Sequence, residues 1–336
     1  MKNTQKYDKI KTGGDNMTDK KNCPLHKTSI GGQAVIEGVM MRGPESIAVA
    51  VRKPDKEIVI DKKPIGKVRR NKILKLPIIR GVVNFFDSLI VGLQALTFSA
   101  KFFDLDENGN QIEETPSKFE QWLEKKLGSE KVMNIVIGIS IIISLGLSIF
   151  LFVFLPTFLC GLVAKISDSI FLRSFTEGVV KIAIFITYLS LCGQTKDMKR
   201  VFAYHGAEHK TINCYEHGDE LTVENVKKYS RLHPRCGTSF LLIVMVISIF
   251  ISFFLPVNPT WLRILLKVLC LPVVAGLSYE IIKFAGRHDN RFTRIISAPG
   301  MWFQHITTKE PDDSMIEVAI ASLNAVKPEN KDEAKW

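Results

Sequence analysis

A chain of 336 residues with 46% hydrophobic residues and a formal net charge of +11 is long enough for two soluble domains or one membrane protein, so the arrangement of its apolar residues decides between them. Six cysteines, of which Cys160, Cys192 and Cys270 lie in or beside apolar runs, do not form a disulfide framework and point to a reduced compartment. The charge is local: residues 1–75 hold 18 Lys or Arg against 8 Asp or Glu. With no recognition helix or aromatic platform, that charge suits anionic headgroups rather than nucleic acid.

Residues 1–29 form a polar, basic lead without hydrophobic period and without the apolar stretch of a signal peptide. Residues 30–75 follow as a β-rich segment. Gln33 to Met41, Ser46 to Val51 and Glu57 to Ile60 are short runs separated by turn residues, which predicts a small antiparallel sheet or hairpin. Residues 76–103 are apolar but contain Pro77, Arg80, Gly81, Asp87 and Gly92. A crossing here would put the basic N-terminus outside, against the charge rule, so an interfacial or re-entrant helix is favoured over a fifth span. Residues 104–131 are a polar loop with a short amphipathic helix near Phe119 to Leu127.

Two uncharged runs, Val132 to Leu155 and Gly237 to Leu262, are each long enough to cross a hydrocarbon core of roughly 30 Å. Phe175 to Gly193 and Trp261 to Ile282 complete four spans, with Lys181 and Lys267 near enough to their ends to snorkel. Two spans thus fall in 132–193 and two in 238–283. Nearly all Lys and Arg then lie on one face, so both termini and the 194–237 segment are predicted to be cytoplasmic. The chain reads as a mainly α, multi-pass protein of the cell membrane with a cytoplasmic cap. In the last segment, 284–336, Ala298-Pro299-Gly300 predicts a break, and Asp312, Asp313 and Ser314 offer a cap for a helix from about Met315 to Val326.

Candidate chemistry concentrates between Tyr204 and Cys236. Lys196 to Tyr215 reads as a helix with His205, His209 and Glu216 on one stripe. His205 and His209 at i and i+4 can chelate one ion with Glu208 beside them, as in an H-x-x-E-H motif whose glutamate is a general base. His233 and Cys236 follow just before the next apolar run and supply a third or fourth ligand, a set that fits a divalent ion, zinc above all. A rival assignment uses Cys214 and His217 with His233 and Cys236 as a closed structural zinc site; the plainer readings are that Cys214 is a buried hydrophobe and that His217, beside Gly218, ends the helix. Glu37 lies in an apolar, glycine-flanked run and is a candidate catalytic carboxylate, or else a turn residue. Glu280 is a further possible ligand, and His288, Asp289 and Arg291 a surface charge cluster near the site.

The sequence words Gly31-Gly32-Gln33-Ala34-Val35-Ile36-Glu37-Gly38-Val39-Met40-Met41-Arg42, His205-Gly206-Ala207-Glu208-His209-Lys210 and His233-Pro234-Arg235-Cys236-Gly237-Thr238 resemble those of the YqhQ-like family of bacterial membrane proteins, from about Ile30 to Ala325. That family is a domain of unknown function labelled a predicted metal-dependent enzyme. The resemblance implies a metal and carries over Glu37, His205, Glu208, His209, His233 and Cys236, while His217 falls outside the shared words. The two functions that follow are a metal-dependent hydrolase acting on a lipid, lipid-linked or membrane-peptide substrate, and a non-catalytic membrane scaffold or transport-associated protein pinned by zinc. Neither reading fixes an oligomeric state.

Overall fold

The computed structural model describes residues 28–65, 76–103, 129–163, 169–256, 258–287 and 290–328. Residues 1–27 of the basic lead, the Lys67 to Lys75 cluster, the helix expected near Phe119 to Leu127, His288, Asp289 and the final residues lie outside these. Four strands come first: β1 (Gly31–Val35), β2 (Gly38–Arg42), β3 (Ser46–Arg52) and β4 (Ile58–Pro64), paired antiparallel in sequence order. The Gln33 to Met41 run is two strands rather than one. Val35 pairs with Gly38 across a turn of Ile36 and Glu37, with Glu37 at φ 51°.

Helices follow: α1 (Ile79–Phe103), α2 (Ser129–Ile149), a π-helical turn (Phe150–Phe154) leading into α3 (Leu155–Val163), α4 (Ile170–Cys192), α5 (Lys196–His217), the short α6 (Val223–Val226), α7 (Gly237–Ser252), α8 (Thr260–Arg287), α9 (Arg291–Thr307) and α10 (Asp313–Val326). The expected break at Ala298-Pro299-Gly300 is absent, because α9 continues through Pro299. Gly300 is needed there for packing instead: a Cβ on it would come within 2.5 Å of Ser239 Oγ on α7. The cap of α10 is as the sequence implies, with Asp312 accepting from Met315 N at 3.0 Å.

Alternation along the strands buries both faces of the sheet. Val39, Met41, Ala48 and Ala50 join Tyr204, Ala207 and Ile212 of α5 and Ile316, Ala319 and Leu323 of α10 in one core. Val35, Met40, Val49 and Val51 face the other way, onto Ala95, Val91 and Phe98 of α1. The sheet, α5 and α10 are therefore one packed body, with α1 laid across its outer face.

Among the described residues, four helical stretches are long and apolar enough to cross a membrane: 79–102, 138–161, 170–192 and 260–286. The membership differs from the sequence reading in two places. Residues 76–103 hold one unbroken helix, and the apolar run from Gly237 contains a helix of only 16 residues that ends at Ser252. Lys181 and Lys267 do not snorkel. Both are buried, Lys267 against Glu177 and Lys181 with its ammonium 2.9 Å from Ser248 Oγ.

Candidate metal centre

Helix α5 starts at Thr195, whose side chain accepts from Met198 N, and stops at Gly218, which takes the left-handed conformation at φ 82° that glycine adopts freely. Over this length the 3.6-residue period puts His205 and His209 one turn apart, with ring centroids separated by 4.4 Å. Loop residues Arg231 to Cys236 and the end of α9 close over them.

Each imidazole is locked from behind. His205 Nδ1 lies 2.9 Å from Thr307 O, and His209 Nδ1 lies 2.5 Å from Arg231 O. A carbonyl only accepts, so both rings carry their proton on Nδ1 and turn Nε2 inward. His205 Nε2 meets Cys236 Sγ at 3.1 Å. His209 Nε2 is buried and has no hydrogen-bond partner among the described residues. Donor atoms of His205, His209 and Cys236 all lie within 4.8 Å of one another, and Glu208 Oε2 is 3.5 Å from His209 Nε2 and 3.9 Å from His205 Nε2.

This donor set fits a divalent ion on three counts. Two imidazoles are pinned by carbonyl acceptors in the manner of metal ligands. One buried nitrogen lone pair has no other use. The third donor is Cys236, whose thiol burial alone would raise but which the two imidazoles beside it hold well below the ordinary range. For His205, burial works towards a lower value and is outweighed by the Cys236 sulfur, which brings the imidazole to about 9. His205 Nε2 and Cys236 Sγ are close enough to share one proton, which an ion would displace.

The other sequence candidates sit elsewhere. His233 is beside the cluster rather than in it: its Nε2 turns to Glu216 Oε2 at 3.6 Å, and Gln304 bonds both its backbone N and its O at 2.8 Å. Burial and the nearby Arg235 and His209 charges hold its imidazole below the usual value, against the pull of Glu216. Glu37 is held by Arg200 and accepts from Tyr204 OH at 3.3 Å; it edges a separate cavity of about 540 Å³ between the sheet, the end of α1 and the start of α5. Glu280 pairs with Arg80 of α1 and is no ligand. The rival zinc site is not assembled: Cys214 is buried in the core with its thiol pushed up to about 11 by burial, and His217 bonds Asn213 O at 2.6 Å in the last turn of α5.

Two residues went unread in the sequence. Glu216, two turns beyond His209, is fully buried and collects Thr28 N at 2.8 Å, Arg235 and His233. Its place on the histidine stripe was the available signal. Gln304 gave none, because 71 residues separate it from the histidine it holds.

A mostly helical chain with four helices long and apolar enough to span a membrane, a small N-terminal antiparallel sheet and a buried His/His/Cys cluster is the class these features define. The chain belongs to the family described as "Protein of unknown function (DUF1385)", which matches residues 76–329. It is 36% identical over 296 residues to "Uncharacterized protein YqhQ" of Bacillus subtilis (strain 168), covering 88% of this chain and 91% of that protein, in agreement with the resemblance read from the three sequence words. No solved structure matches.

Proposed function

We propose that this protein is a multi-pass membrane hydrolase whose ion, zinc by the chemistry of the donors, is held by His205, His209 and Cys236. The observation that carries the reading is the buried Nε2 of His209, which has no hydrogen-bond partner among the described residues and lies within 4.8 Å of the His205 and Cys236 donors. When bound, the ion supplies Lewis acidity to the reacting oxygen. Glu208 stands beside both Nε2 atoms, where its carboxylate can take a proton from an attacking water and return it to the leaving group. Gln304 and Glu216 hold His233 and Arg235, and with them the turn that delivers Cys236.

The packing supports a site at the membrane foot. The sheet, α5 and α10 share one core, so an even number of crossings must separate each from the next. Three candidate spans, α1, α2 with α3, and α4, lie between the sheet and α5. The packing of Val91, Ala95 and Phe98 on the sheet favours α1 as the helix that does not cross. Between α5 and α10 the same parity pairs α7 with α8. The crossing helices are then α2 with α3, α4, α7 and α8, and the basic segments fall on the cytoplasmic side by the charge rule. A lipid, lipid-linked or membrane-peptide substrate suits that position.

A second reading is favoured by the proximity of Glu208 to both imidazoles: as a fourth ligand it would close the site and make the ion structural, in a scaffold or transport-associated protein. One variant separates the two. Glu208→Gln should keep about one zinc per chain, by elemental analysis of detergent-purified protein, while abolishing hydrolysis of peptide and ester reporters in proteoliposomes. Zinc lost along with Glu208 supports the structural site, and no stoichiometric metal in the wild type rejects both.

A further inference from the structure

The cavity of about 540 Å³ that Glu37 edges shares no lining residue with the His/His/Cys centre. Its volume falls within the range of clefts that enclose small ligands. Ile36, Val51, Pro54, Phe102 and Val201 give it apolar walls, and Lys56, Asp197 and Arg200 are among the charged side chains that complete it. At roughly 30 Å³ per water-sized group it holds about 18 such groups, the bulk of one acyl chain and not of a two-chain lipid. The walls are formed by bonds within the chain. Arg52 N donates to Glu37 O, Lys53 N to Glu57 O and Lys56 N to Lys53 O, each at 2.9 Å, which sets the β1–β2 turn beside the β3–β4 hairpin. Arg52 then ties the hairpin to α10 through Ser314 O at 3.0 Å and Glu317 at 2.6 Å. A cleft ordered in this way costs a ligand little reorganisation.

The location favours a lipid. Asp197, Arg200 and Val201 stand in the first two turns of α5, which begins at Lys196, just past the end of α4 at Cys192, and α4 is apolar enough to cross a membrane. Ser99 and Phe102 belong to the end of α1, whose outer side exposes Phe86, Leu89, Ile90 and Leu93. The cavity therefore lies where a membrane helix ends and where an exposed apolar helix face ends, so an acyl chain reaches it from the bilayer. Most of the charge around it is already used: Arg200 Nε and Nη2 hold Glu37, and Lys53 pairs with Asp55 and Glu57. Left over among the described residues are the exposed Lys56 ammonium, Arg200 Nη1 and the exposed Asp197 carboxylate. A head group without net charge, carrying an anion for Lys56 and Arg200 and an ammonium for Asp197, matches that remainder.

We infer that this cavity binds a single-chain phospholipid, with its acyl chain against the apolar walls and its zwitterionic phosphate–ammonium head at the charged rim. The inference rests on the chain being a membrane protein and on nothing at His205, His209 and Cys236, so it stands whether or not a metal binds there.

The test uses the full chain in phosphatidylcholine liposomes doped with lysophosphatidylethanolamine that carries a photoactivatable diazirine on its chain, with the adducts mapped by peptide mass spectrometry. The expected result is saturable labelling of the peptides that carry Val51 to Pro54 and Val201, displaced by unlabelled lysophosphatidylethanolamine and not by chain-free glycerophosphoethanolamine. Val201→Trp and Pro54→Trp, which fill the cavity, should each reduce that labelling by about tenfold or more; either one with the wild-type unfolding midpoint suffices to read this. The proposal is overturned if labelling of these peptides rises with dose without saturating, as expected at the exposed Ile142 of α2, or if a filled variant that folds keeps it. A diazirine fatty acid that labels them saturably where the lysophospholipid does not also overturns it.

Discussion

His209 donates Nδ1–H to the carbonyl oxygen of Arg231 at 2.5 Å, and this one bond decides what the opposite edge of the ring can do. It fixes the tautomer, points Nε2 into the cluster and leaves a buried lone pair without a hydrogen-bond partner among the described residues. A residue with that arrangement is a ligand in waiting.

Replacing His209 with Ala should reduce bound zinc from about one per chain to near zero, measured by elemental analysis after detergent purification. Cys236→Ser should lower zinc affinity by about 10- to 100-fold or more, since a hydroxyl is not deprotonated as the thiolate is. Full retention of zinc in His209→Ala would show that the ion, if any, sits elsewhere.

Gly32→Ala is expected to damage the same centre from the sheet side. A Cβ there would lie 2.5 Å from Met40 O and 2.9 Å from Glu208 Cγ, so either β1 or the glutamate must move. The expected loss is about 1–3 kcal/mol in stability, read as a lowered unfolding midpoint. Reduced activity should accompany it if Glu208 is the base.

Glu216 links stability to pH. Burial would raise its carboxyl, but the bonds and charges of His233 and Arg235, with Thr28 N, hold it at about 2 against an ordinary 4.5. A lowered folded-state value means that the contribution is fully present above 4.5 and is lost as pH falls from there through about 2. On the order of 3 kcal/mol is at stake. Glu216→Gln should destabilise by a similar amount at neutral pH, because the largely buried Arg235 side chain loses its carboxylate. It should also flatten the acid limb of an unfolding-midpoint profile between pH 5 and 3. An unchanged acid limb would remove Glu216 from this role.

Reporter fusions after Phe103, Cys192 and Lys327 should all give cytoplasmic signals. A periplasmic signal after Phe103 alone would make α1 a crossing helix and contradict the shared core of the sheet and α5.

Much of this was legible in the chain itself. Periodicity gave α5 and the pairing of His205 with His209, because i and i+4 fall on one helix face whatever surrounds them. The Asp312 cap, the Gly218 stop and the short strands are local events, set by side-chain hydrogen bonding and backbone sterics within a few residues. The family could be read from three short stretches. What depended on contacts between distant residues could not. Cys236 rather than His233 faces the histidines because Glu216 and Gln304 turn His233 away, and Gln304 is reached only when α9 folds back. Glu37 is drawn off by Arg200 across 163 residues of chain. Lys181 and Lys267 turn inward because Ser248 and Glu177 wait for them on neighbouring helices. Local sequence determines which elements form and which face each side chain takes; the partner that a buried charge or imidazole meets is chosen by packing, since satisfying such a group requires an acceptor that only the assembled fold brings within reach.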